Sequence, residues 1–148
     1  MIEKEQADVK VREGWLRIWA GFESMAIVQE TATVALAELI EKLDEDPRVK
    51  VYKKDFSEPQ RIEKLVKGFD EAFSQAVKVE FVVKNLDELV DVVIEYGPSS
   101  LEILEPKEIK LNTAEAQSVI NSIAAMMHRF AEAGLGGAVF VTGKGANQ

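Results

Sequence analysis

Residues 76–106 read AVKVEFVVKNLDELVDVVIEYGPSSLEILEP, and the hydrophobic period changes twice within them. Val77, Val79, Phe81 and Val83 fall on every second position, the period of a strand with one buried face. Asn85 followed by Glu88 forms a capping box, in which the asparagine side chain satisfies a free N–H of the first helical turn. Leu86, Leu89, Val90 and Val93 then supply the buried stripe of a helix. Gly97-Pro98 ends it, because glycine accepts the left-handed cap and proline cannot continue the hydrogen-bond ladder. Leu101 and Ile103 begin a second strand, closed by Pro106. A β-α-β unit is thus written in local signals, with Val79 and Leu89 in its core.

Working back toward the N-terminus, the same grammar repeats. In VREGWLRIWAGFE, Leu16, Ile18, Ala20 and Phe22 alternate with Trp15, Arg17, Trp19 and Gly21, which predicts a strand with both faces partly covered. Val28, Ala32, Ala35, Leu36, Leu39, Ile40 and Leu43 lie on one helical stripe, stopped by Asp46-Pro47. RVKVYKKDF alternates again, with Val49 and Val51 on one side. SEPQRIEKLVKGFDEAFSQ reads as an insertion between two paired strands, in which Ile62, Leu65, Val66 and Phe69 suit a short helix while Pro59 and Gly68 suit a loop. Residues 1–10 are polar and are expected to fray. The resulting order, strand-helix-strand-strand-helix-strand, is the split βαβ pattern of a ferredoxin-like α+β fold over residues 11–106.

Such a fold puts both helices on one sheet face and leaves the other bare. LNTAEAQSVINSIAAMMHRFAEAG, capped at Asn112 or Thr113 and stopped at Gly134, offers a third helix to cover it, within one chain or across a two-fold axis. Its stripe includes Val119, Ile120, Ile123, Met126, Met127 and Phe130. Residues 135–148 form a glycine-rich tail with a short strand at Ala138–Val141. That tail is not a phosphate loop: with Gly143-Lys144 as the central pair, Ala138 stands where the first glycine belongs, Gly145 where the hydroxyl belongs, and no helix follows. One domain of 148 residues is expected.

Composition narrows the function classes. The chain is 47% hydrophobic and 30% charged, with net charge −8, one histidine and no cysteine. Disulfides, thiolate metal sites and cysteine nucleophiles are excluded. Basic residues are interleaved with acids, which disfavours nucleic acid. No apolar run is long enough to cross a membrane. The charged opening MIEKE has no apolar core after it, so the cytoplasm is the expected compartment. High charge with so little Cys and His suits a thermophile.

No catalytic residue, metal set or cofactor motif stands out. Trp15, Arg17 and Trp19 on one strand face are candidates for a ligand pocket or a contact surface, with packing the favoured use of the two indoles. Met126, Met127 and Phe130 suit an adaptable interface. His128, one turn before Glu132, is a further candidate, although such pairs usually stand solvated on a helix surface. The segment VIEYGPSSLEILEPKEI, residues 93–109, resembles the C-terminal extension of WYL-domain transcription regulators, where a strand, a short helix, a Y/F-G turn and an EVLEP-like strand recur. The resemblance covers Ala76 to Ile109; the helix-turn-helix and WYL core of those regulators have no counterpart here. It implies a sensing or regulatory module and not DNA binding. The expectation is a non-catalytic domain acting through protein contacts or a small ligand, as a homodimer. The alternative is a small-molecule enzyme with its site at the dimer interface, using Glu, Lys or His128.

Overall fold

A computed structural model describes residues 1–63, 68 and 71–134. In chain order the elements are α1 (Lys4–Arg12), β1 (Leu16–Ala26), α2 (Gln29–Glu45), β2 (Val49–Phe56), β3 (Gln60–Glu63), β4 (Glu71–Val83), α3 (Leu86–Tyr96), β5 (Ser100–Glu105) and α4 (Thr113–Glu132). They fall into two compact units, Met1–Ile109 and Lys110–Gln148. The tail strand expected at Ala138–Val141, and Leu65, Val66 and Phe69 of the expected short helix, lie outside the described residues.

Among the described residues the first unit has an antiparallel sheet ordered β2-β4-β1-β5, with β3 also paired to β4. With α2 and α3 as the crossovers this is the ferredoxin-like arrangement that the periods predict. Leu16, Ile18, Ala20 and Phe22 of β1 and Val77, Val79, Phe81 and Val83 of β4 meet Leu36, Ile40 and Leu43 of α2 and Leu89 and Val92 of α3 in one buried cluster. In α3 Leu89 is buried and Leu86 and Val93 pack on the core as expected, while Val92, outside the expected stripe, is buried and Val90 is only half-buried; the two end signals hold. Asn85 Oδ1 accepts the Glu88 N–H at 2.9 Å, and Gly97 takes the left-handed cap at φ 59°, a conformation that costs glycine nothing.

The far ends of the helix layer are clamped. Asp46, at the C-cap of α2, accepts hydrogen bonds from the backbone and guanidinium of Arg48 and from the Tyr96 hydroxyl, at 2.6–2.9 Å. Tyr96 closes α3, so one aspartate joins α2, the start of β2 and α3.

Two expectations are corrected. Residues 60–63 form strand β3, neither loop nor part of a short helix: Gln60 to Glu63 pair with Ser74 to Glu71, so β4 begins well before Ala76 and its long edge carries β2 and β3 in succession. Residues 1–10 are not frayed. Lys4–Arg12 is a helix opened by a capping box of Glu3 and Gln6, and it lies on the second sheet face. There Ala7, Tyr52 and Val82 form a separate buried cluster, with Ile2, Val11 and Trp15 packed around it. The Ile2 N–H also reaches the Val51 carbonyl at 2.8 Å. The face that the sequence leaves bare is therefore partly covered from the N-terminal end of the chain. Much of the rest is polar, with Lys78 and Glu80 of β4 and Glu102 of β5 in register beside β1.

In the second unit α4 is capped as expected, Asn112 Oδ1 accepting the Glu115 N–H at 2.8 Å. No described helix is long and apolar enough to cross a membrane.

Candidate functional site

Two irregularities in the sheet shape the second face around Arg17. Between β1 and β5 the register shifts so that Arg17 faces Glu105 while Ile18 faces Ile103. The extra residue, Leu104, is pushed outward and is exposed. Between β2 and β4 a second shift falls at Val51/Lys53 and leaves Tyr52 as the extra residue. Tyr52 is buried under α1. Bulges of this kind bend a strand and re-aim side chains, and here both act on the same arginine.

Arg17 Nε donates to Glu105 Oε2 at 2.6 Å and Nη1 to the Tyr52 hydroxyl at 3.0 Å, while Nη2 donates to Asp8 on α1. The Tyr52 hydroxyl in turn donates a hydrogen bond to Glu80 Oε1 at 3.1 Å, and Lys53 pairs with the other oxygen of Glu80 at 3.3 Å. Burial opposes the charge on Arg17, whose side chain is 12% exposed, but the bonds to Tyr52, Asp8 and Glu105 outweigh it and hold the guanidinium above its usual range. The hydrogen bond from Arg17 in turn holds the Asp8 carboxyl below the usual aspartate value. Burial is the main reason that the Tyr52 hydroxyl is shifted up. This network fastens α1 to the sheet and uses the planar fork of arginine.

Beside the network is a cavity of about 380 Å³ between the α1–β1 turn and the end of β5. Val11, Trp15, Leu104 and Pro106 give it apolar walls, and Glu105 and Lys107 add one carboxylate and one ammonium. Gly14, with φ 100°, makes the turn that brings Trp15 there. The Lys10 ammonium stands 4.9 Å from the indole centroid of Trp15, a cation–π distance. A second cavity of about 360 Å³ lies beside β3; it is lined by Ser57, Gln60, Ser74 and Gln75, together with Glu23, Met25, Ile62 and Ala76.

The candidate residues separate accordingly. Trp15 precedes β1 and both packs under α1 and lines the cavity. Arg17 is joined to that cavity through Glu105. Trp19 stands cross-strand from Glu80 and Glu102, and its ring edge comes 3.6 Å from where a Cβ on Gly21 would stand. Met126, Met127, His128 and Phe130 belong to α4 in the other unit. Asp8, Tyr52, Leu104, Glu105 and Lys107 have no signal in the sequence. They come from three separate elements or their ends, α1, β2 and β5, and the bulges that aim them follow no period. Among the described residues no three His, Cys, Asp or Glu side chains are grouped to hold a metal ion.

Comparison with known proteins finds one family model, that of the MJ0538 family, matching residues 17–144. The span runs from β1 through α4 and starts after α1 and Trp15. No curated protein and no solved structure matches the chain.

Proposed function

We propose that this chain, which belongs to the MJ0538 family, is a non-catalytic binding domain that takes a small ligand in the cavity beside Trp15. The observation that carries the reading is the pairing of apolar walls with neighbouring charges that are already satisfied: Glu105 and Asp8 are both held by Arg17. Binding pockets are mostly apolar with a few polar groups that orient the ligand. Both carboxylates are engaged in fastening β5 and α1 to Arg17. The resemblance read at residues 76–109 to the extension of WYL-domain regulators implies a sensing or regulatory module, and the cytoplasm is its proposed compartment. On α4, Ile120, Ile123, Met127 and Phe130 are exposed and recur at three- and four-residue intervals, the spacing of a helix-pairing seam. They support self-association as a homodimer.

Native mass spectrometry of freshly purified protein tests the ligand reading. The expected result is a retained small molecule that Trp15→Ala releases. A chain that carries none, and that gains no thermal stability from any member of a metabolite panel, contradicts it.

A further inference from the structure

We infer that the ligand of the Trp15 cavity is a small carboxylate with an apolar, planar body. The inference rests on the reading of that cavity as a ligand site and adds the chemistry of what fills it. Val11, Trp15, Leu104 and Pro106 offer only carbon and the indole ring to a guest, and an indole favours stacking or edge contact with a flat body. The charged neighbours then decide the sign of its polar end. Glu105 is paired with Arg17 at 2.6 Å, Asp8, which Arg17 also holds, has Lys4 at 3.3 Å, and Lys10 is balanced by Glu13 at 3.6 Å. Lys107 lines the same cavity and makes no ion pair among the described residues. Once the paired charges cancel, the positive charge of Lys107, an exposed residue of the cavity lining, is left over. A cationic guest would meet it with like charge, a neutral guest would leave it unused, and a carboxylate completes it.

Both tryptophans of the chain lie in this unit, so Trp19→Phe leaves Trp15 as the sole emitter. Titration of that variant, followed by its emission, compares phenylacetate, phenylacetamide and phenethylamine, which share a ring and differ in charge. Phenylacetate is expected to shift the Trp15 emission to saturation, with the amide at least about tenfold weaker and the amine weaker still. Lys107→Met is expected to weaken phenylacetate by about tenfold and Lys107→Arg to preserve it. Amide or amine binding as well as the acid, or Lys107→Met leaving the affinity unchanged, overturns the carboxylate assignment while the cavity stays a ligand site. A dipeptide ending in a free phenylalanine carboxylate that binds more tightly than phenylacetate overturns the small-molecule source in favour of a chain terminus. Silence from all of these probes, with a ligand retained in native mass spectrometry, overturns the inference and spares the broader reading.

Discussion

Asp46 shows how much one side chain can carry in this fold. Its carboxylate is almost fully covered and receives Arg48 and Tyr96 from two other segments. The Arg48 hydrogen bonds, foremost, hold it well below the usual aspartate range. The folded carboxyl therefore binds its proton less tightly than the unfolded one. The clamp adds stability above the ordinary aspartate pKa of about 4 and loses it as pH falls below that value. Asp46→Asn is expected to cost about 1–3 kcal/mol at pH 7, and the gap from wild type should narrow between pH 5 and pH 3. Urea midpoints across that range check it; a constant gap would show that the charge is immaterial. Tyr96, pushed up to about 12 by burial and by Asp46, is the alkaline counterpart: its share of stability is present below pH 10 and lost above it. Arg17 is a different case. Lysine keeps the charge but cannot reach Glu105, Tyr52 and Asp8 together, so Arg17→Lys should lower the urea midpoint by the equivalent of about 1–2 kcal/mol. The residue is legible as a candidate from its place between two tryptophans. Its partners are not, being 9, 35 and 88 positions away in the chain.

At the scale of elements, legibility follows the number of side chains that an element buries. Of α2, Ala32, Leu36, Ile40 and Leu43 are buried, and four positions on one stripe make a period that can be read. Of α1 only Ala7 is buried; one small side chain leaves no stripe, so the helix looks like a frayed end. It forms because Ala7 lets the backbone approach Val82 closely and Asp8 is held by Arg17. Two substitutions separate these cases. Leu89→Ala, in the main core, should cost about 2–5 kcal/mol in global stability. Ala7→Glu should unseat α1 alone, so that hydrogen exchange speeds up over residues 4–12 while β4 stays protected. Equal loss of protection in β4 would show that α1 belongs to the same cooperative unit. Strand β3 escaped the reading for a related reason: four residues, mostly exposed, form it by pairing with an edge of β4 whose length is not visible locally.

For the whole molecule, the balance between the two sheet faces determines what must be covered. The expectation that a third helix is needed arose from a bare apolar face. That need is largely met by α1 and by the charges of Arg17, Lys78, Glu80 and Glu102. Residues 1–109 are accordingly expected to fold on their own and to unfold cooperatively in urea; aggregated or dye-binding protein would show that the sheet depends on the remaining chain. The exposed seam on α4 is proposed to serve assembly. Light scattering of the full chain is expected to give a dimer, and Ile123→Glu with Phe130→Glu a monomer; a monomeric wild type removes the homodimer proposal. The order of the ferredoxin-like core, the caps of α3 and most of the main buried cluster follow from the sequence by itself, because a period or a cap is set by residues within one or two turns. The docking of α1, the bulges at Tyr52 and Leu104, the Arg17 network and the cavity beside it were decided only in the tertiary structure. A hydrophobic period tells which face a side chain occupies. It does not say which partner across the sheet will meet it, and that choice rests on register between strands far apart in the chain.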